Sequence, residues 1–388
     1  MRFQSVGSQY DFKAAWAHLF AHGNARSSQA LTSELELQFG GNSYLYANGR
    51  SALTAALKAV VSSSDEVAIN GFTCYVVQEA VKSAGAKPLF LDVDTSTLHF
   101  SEIHLEEAIK SHPNLRAIVV QNTFGIPCDI ARIEAFAKNH QLILIEDLAH
   151  CIGLTYPDGR KAGTVGDFVM LSFGRDKLLD CVSGGALIVR NPAYVNKVQA
   201  PVHLAPRTTR RRDRWYPMLM WLARTGYPIG IGKLLMKLYQ VTKIVVRTAD
   251  GSIDHLAALP SWQADRALAK LHELPKDIVR RQRLVETYGT LLPTSFHHSG
   301  APVRFAYLAK DRSDVLHTLL TRRYYLTDTW YDTPIGPARL YGGVDYPEVS
   351  CPNAVEIAQR IINLPTHRYV SVSDAERIAH IVQEVERG

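Results

Sequence analysis

Three residues between positions 141 and 190 have the types and spacing to do chemistry together: Asp147, His150 and Lys177. Two of them follow an apolar run closely, and the third lies a few residues beyond the next. Residues 142–145 lead into Glu146-Asp147-Leu148-Ala149-His150, and residues 168–171 lead into Ser172-Phe173-Gly174-Arg175-Asp176-Lys177. Gly184-Gly185 and another apolar run, 186–189, come next. Short apolar runs bounded by polar residues or glycine read as buried strands, and open α/β sheets bind ligands beyond the carboxyl ends of their strands. An aspartate, a histidine and a lysine are therefore expected at one sheet edge.

That trio suits pyridoxal phosphate (PLP). The cofactor's aldehyde needs an amine to bond to, its pyridine nitrogen needs a carboxylate to stay protonated, and its flat ring needs a surface to lie against. Lys177, Asp147 and His150 fill those roles in that order. Taken singly, each also reads as something plainer: a surface lysine, a strand-end aspartate, a satisfied histidine.

The elements that must position them can be read in chain order. Residues 11–39 have helical spacing, with Trp16, Leu19 and Phe20 on one side. A short strand at 42–47 then closes on Asn48-Gly49, and residues 50–57 have strong helix character beginning at Ser51. A strand, a glycine turn and a helix start present backbone N–H groups to a phosphate, so Gly49, Arg50 and Ser51 are candidate phosphate ligands; a plain helix cap is the alternative. Strands at 66–69, 88–92, 116–121 and 142–146 then alternate with helices at 75–84, 102–111 and 130–139. That alternation reads as βαβ units on a mainly parallel sheet. Asn122-Thr123-Phe124-Gly125 should reach the same crevice, and Thr73, Cys74 or Tyr75 should cover the other face of the ring.

The order of these motifs resembles the DegT group of sugar aminotransferases, members of the fold-type-I PLP enzymes. The resemblance rests on Gly49-x-Ser51-Ala52-Leu53, Asp65-Glu66-Val67 with Thr73, and Gly85-Ala86-x-Pro88 with Asp92-Val93-Asp94. It continues through Glu146-Asp147-x-Ala149-His150, Gly163-Thr164-x-Gly166-Asp167, Ser172 to Lys177, Gly184-Gly185 and the closing Asn363-Leu364-Pro365-Thr366-His367. It implies a Schiff-base role for Lys177, a pyridinium partner in Asp147 and a stacking ring in His150. It also implies phosphate contacts from Ser172, Arg50 and Ser51, and a homodimer. Members that keep the lysine resemble transaminases, whereas a histidine there marks dehydratases. The expected activity is transfer of an amino group, from glutamate, to a keto sugar on a nucleotide or related activated carrier. The alternatives are a PLP enzyme acting on a non-sugar ketone, or a non-catalytic binding protein on the same fold.

The resemblance implies a large PLP-binding domain at 1–249, with an inserted basic and apolar segment at about 205–247, and a smaller α+β domain at 250–388. The insertion is expected to be a helical pair packing on the body or on a dimer partner, with peripheral membrane contact through 207–247 as its other use. Where the family carries Gly-x-Asn-x-Arg, this chain has Gly251-Ser252-Ile253-Asp254-His255, leaving Ser252 or His255 to replace the cross-dimer asparagine. The family's histidine-bearing substrate loop is replaced by residues 324–332, which are aromatic and acidic.

Composition narrows the rest. The 388 residues carry 43 Lys and Arg against 37 Asp and Glu, a net charge of +6 that favours phosphorylated ligands without calling for nucleic acid. The 5 cysteines have no C-x-x-C pair, which argues against a disulfide framework or zinc ribbon; no metal is expected. The start of the chain lacks the pattern of a signal peptide, so a cytoplasmic location is expected.

Overall fold

The computed structural model describes residues 3–4, 9–246, 256–294, 296–298, 300–326 and 329–388. The expected Ser252 and His255 lie outside the described residues.

Helices α1 (Phe12–Leu19) and α2 (Ala25–Phe39) lead into a 7-stranded sheet. Its strands are β1 (Asn42–Tyr46), β2 (Glu66–Asn70), β3 (Lys87–Leu91), β4 (Leu115–Gln121), β5 (Ile143–Asp147), β6 (Phe168–Ser172) and β7 (Gly185–Val189). Their spatial order is β3-β2-β4-β5-β6-β7-β1. The neighbours from β3 to β6 pair in parallel, whereas β7 is antiparallel to both β6 and β1. Every residue of β5 and β7 is buried, as continuous apolar runs in a parallel-rich sheet covered on both faces should be. Helices α3 (Gly49–Lys58), α4 (Tyr75–Ser83), α5 (Glu102–Ser111) and α6 (Ile130–Asn139) occupy the positions that the 3.6-residue pattern predicts. This is the α/β, mainly parallel sheet expected.

One helix start differs from expectation. The cap of α3 is Asn48, whose side chain accepts from Ser51 N at 2.7 Å, so Ser51 sits inside the first turn. Asn48, extended and one turn earlier, takes the role. The last helix is capped by Ser371 in a capping box with Asp374.

After β7 the chain forms α7 (Arg207–Thr225) and α8 (Ile231–Val241), then α9 (Ser261–Leu291), which is 31 residues long. Pro275 lies inside it. A mid-helix proline costs about 3 kcal/mol. Burial on both sides of it offsets that cost: Ala267, Leu271 and Leu274 pack into the main core, and Leu284, Val285 and Tyr288 into a second one. That second core also holds β8 (Arg304–Leu308), antiparallel to β9 (Ile361–Pro365), and helix α10 (Arg312–Thr321). Between them α11 (Ala338–Tyr341) and α12 (Pro352–Arg360) return to the main core, where both Asp92 oxygens accept from the N–H groups of Asn353 and Ala354 at 3.0 Å. The chain ends in α13 (Val372–Arg387). Among the described residues no helix is long and apolar enough to cross a membrane.

Side chains alternate faces along a strand, so Glu146 points away from the edge that Asp147 serves. Glu146 is fully buried and meets four donors: Tyr156 OH at 2.9 Å and Gly163 N at 2.7 Å on Oε1, and Val165 N at 2.9 Å and Gly166 N at 2.7 Å on Oε2. It is the bracket for the loop between β5 and β6. Glu146→Ala is expected to lower stability by about 3 kcal/mol or more, since it strands buried donors. Glu146→Gln should also be destabilising, because in either orientation its NH2 would face at least one N–H group; denaturant unfolding of both variants checks this.

Candidate active site

β4 and β5 run side by side with Gln121 and Asp147 in register at their carboxyl ends. Thr73 Oγ1 donates to Gln121 Oε1, which forces the amide's Nε2 toward Asp147, where it donates to Oδ2 at 2.9 Å. The other oxygen, Oδ1, accepts from Ala149 N at 2.9 Å. The carboxyl is 2% exposed, and burial pushes its pKa up to about 6, against the lowering effects of the Ala149 N–H, the Lys177 charge and Gln121. Asp147 is therefore an oriented carboxylate short of a cation.

Lys177 lies in the loop that leaves β6. Burial lowers its pKa, helped by the Arg304 charge and opposed by Cys74 and Asp147. Its Nζ stands 4.5 Å from the centroid of the Trp330 ring, and the Arg304 guanidinium stands 4.0 Å from the same centroid. His150 is buried beside flat neighbours: Phe124 at 5.4 Å and 28°, and Trp330 at 5.3 Å and 17°. Phe124 N donates to its Nδ1 at 3.3 Å, and Tyr331 OH lies 3.5 Å from its Nε2. Burial, then Lys177 and Arg304, hold its pKa well below the usual value, so the ring is neutral.

Beside the sheet edge, Gly49 starts α3 against β6 and β7. A Cβ on Gly49 would meet Ser172 Cβ at 3.1 Å, and one on Gly185 would sit 2.6 Å from Gly49 Cα. Those two glycines let the helix start approach the strand ends. Ser51 Oγ is buried there with no hydrogen-bond partner among the described residues. Arg50 turns its Nη1 to Glu79 at 2.8 Å, and Ser172 Oγ accepts from Gly174 N at 3.3 Å. Cys74 is half-buried at the end of a short strand, Thr73–Cys74, parallel to Ile335–Gly336; the charges of Lys177, Arg50 and Asp147 act on its thiol, which burial pushes up.

The structure thus gathers Lys177, Asp147, His150 and Cys74 in one region, with Gly49, Ser51 and Ser172 at its rim. Asn122 does not join them: its amide donates to Tyr156 OH at 3.0 Å and accepts from Cys128 N at 3.0 Å. Phe124 does. Sequence reasoning missed Gln121, Arg304 and Asn363. The last of these accepts from Trp330 N and donates to Trp330 O at 3.0 Å, fixing that indole at the site. A cavity of about 340 Å³ opens beside Lys177, lined among others by Asp176, Arg280, Arg281, Arg304, Asn363 and His367. All five cysteines are free, and among the described residues no group of three His, Cys, Asp or Glu is arranged to hold a metal.

Comparison with known proteins agrees with this geometry. The chain is 25% identical over 350 residues to a UDP-N-acetyl-3-dehydro-alpha-D-glucosamine 3-aminotransferase of Acidithiobacillus ferrooxidans, covering 88% of this chain and 84% of that one. It is 26% identical over 348 residues to a dTDP-3-amino-3,6-dideoxy-alpha-D-galactopyranose transaminase of Aneurinibacillus thermoaerophilus, covering 87% and 83%. Its fold matches that of Helicobacter pylori PseC, an aminotransferase involved in the biosynthesis of pseudoaminic acid, with a TM-score of 0.72 at 18% identity and 100% coverage of both chains. The model of the DegT/DnrJ/EryC1/StrS aminotransferase family matches residues 40–383, from just before β1 into α13. A match of that extent takes in both cores and the whole sheet edge, and the chain belongs to this family of PLP-dependent aminotransferases.

Proposed function

We propose that Lys177, Asp147 and His150 are the working residues of this aminotransferase, and that its acceptor is a keto sugar carried by a nucleotide or a related activated carrier. The observation that carries the reading is the buried, oriented carboxylate of Asp147 with Lys177 and a flat, neutral His150 around it. The named relatives act on nucleotide-linked sugars, which supports the acceptor class.

The residues fit PLP. Ser51 Oγ is a buried hydroxyl without a partner among the described residues, at a helix start that glycine keeps open, which suits a phosphate, and Ser172 stands at the same rim. Asp147 would pair with the pyridinium nitrogen, His150 would carry the ring, and Cys74 would stand on its far side. When bound, the cofactor supplies an electron sink that lets a proton leave the carbon bearing nitrogen. Lys177 Nζ is the base that takes this proton from the donor, glutamate, and returns one to the acceptor carbon. Burial lowers its pKa, which favours the free-amine form that this role needs. Trp330 and Tyr331 wall the acceptor side, with Arg304 backing Trp330. Ser51→Ala should weaken cofactor retention about tenfold, the worth of one hydrogen bond to a charged group, read by equilibrium dialysis against PLP.

The enzyme acts as a homodimer in this reading, which light scattering checks. The acceptor is tested by offering nucleotide-linked keto sugars and simple ketones with glutamate as donor and following 2-oxoglutarate. Turnover of the sugars alone supports the proposal. Turnover of simple ketones alone overturns the acceptor while leaving amino transfer intact.

A further inference from the structure

Residues 207–246 hold nine lysines and arginines against a single acid, Asp213, and that acid is buried and accepts from Ser183 Oγ at 2.6 Å. The segment folds as α7 and α8 packed on α1 around Tyr10, Tyr216, Met220, Ala223 and Tyr239. The two helices approach closely at Gly232, where a Cβ would lie 2.0 Å from Ala223 O. Gly232 and Tyr239 therefore define the inner side of α8.

Its outer side is apolar. Ile231 (53%), Leu234 (68%), Leu238 (50%) and Val241 (74%) are all exposed, at spacings that put them on one stripe of the helix. At 100° per residue, Lys233 and Lys237 fall on the arc beside that stripe, both exposed. Ile229 just before the helix is 74% exposed, and α1 with its C-cap residue adds exposed Phe12, Trp16 and Phe20, with the Phe12 ring 5.0 Å from Trp221 of α7. Scattered apolar residues need no explanation on a surface, but an unbroken stripe edged by cations does.

We propose that α8, backed by α7 and α1, lays this stripe into the surface of a bilayer that contains anionic lipid. Long lysine stems beside an apolar stripe let the aliphatic groups sink while the ammonium groups stay among the headgroups. Nine cations with one buried acid give the charge that an anionic leaflet attracts. The same charge opposes a second copy of the chain on this face, because a two-fold contact would set cation against cation. The contact is peripheral, since no described helix can span.

The test is sedimentation of the PLP-loaded enzyme with vesicles of phosphatidylcholine, alone or mixed with phosphatidylglycerol. Strong binding to the mixed vesicles, weak binding to phosphatidylcholine and loss as salt rises are expected, because screening shortens the reach of the cations. Leu234→Glu with Leu238→Glu should lower binding about tenfold or more, and Lys233→Glu with Lys237→Glu likewise, with solution mass and amino transfer unchanged. No binding to mixed vesicles, or undiminished binding by both double variants, overturns the proposal. So does a change in solution mass of the leucine variant, which would show that a second copy covers the face.

Discussion

Lys177→Ala abolishes amino transfer, with a fall in rate on the order of 10⁴ or more, because it removes both the covalent anchor and the proton carrier. The loss is chemical and leaves the fold intact. Lys177 is half-buried and burial disfavours its ammonium form, so its removal takes away a group whose charge the site holds only at a cost. Thermal melting of the apoprotein should therefore be unchanged or raised. Lys177→Arg separates charge from chemistry: a guanidinium stays protonated and cannot take the proton, so it is expected to be as inactive as alanine. A stopped assay of 2-oxoglutarate from glutamate, beside melting curves of both variants, checks this. An arginine variant with more than a few per cent of wild-type turnover would contradict the role given to Lys177.

Asp147→Asn is the second large effect, and it has opposite signs in the two states of the protein. In the apoprotein the carboxyl titrates at about 6, raised from 3.8 chiefly by burial. A group whose folded pKa is raised contributes its stability below the unfolded pKa and loses it as pH rises through the folded one. Between pH 4 and pH 6 the apoprotein thus loses about 3 kcal/mol from this carboxyl, at 1.36 kcal/mol per unit. Asparagine has no such loss. It does leave the Gln121 N–H, held in place by Thr73, facing an NH2 in place of an acceptor, at about 1 kcal/mol. The variant apoprotein should therefore be more stable than wild type by about 2 kcal/mol above pH 6, and no more stable near pH 4. The loaded enzyme should show the reverse, since the pyridinium loses its counter-ion. PLP then stabilises the variant less, and turnover falls on the order of 10² to 10³. Melting with and without PLP across that pH range, with turnover at neutral pH, reads both signs.

Much of the site was legible because its parts sit at strand ends, and strand ends follow from local pattern. The apolar runs before Asp147 and before Ser172, together with the glycines, place Asp147, His150 and Lys177 at one edge without any long-range information. Helices α5 and α6 were readable to the residue because their apolar periodicity has nothing competing with it. What escaped were residues whose role depends on a distant partner. Gln121 looks like the end of an ordinary strand until Thr73, which lies on a separate short strand, orients its amide. Arg304 looks like a strand residue of the second core until Trp330 arrives beneath it. Asn48 and Ser51 compete for one cap, and sequence alone does not say which backbone is extended. The length of α9 through Pro275 depends on two cores burying its opposite halves, which are invisible at the level of one helix.

The central claim is that Lys177 and its surroundings hold PLP for amino transfer, and the visible absorption spectrum of the purified protein with added PLP tests it most directly. Wild type and Lys177→Ala would be compared before and after glutamate. The predicted result is a band that requires Lys177 and that glutamate bleaches toward shorter wavelength. A band that forms equally well without the lysine, or no band at all, would contradict it.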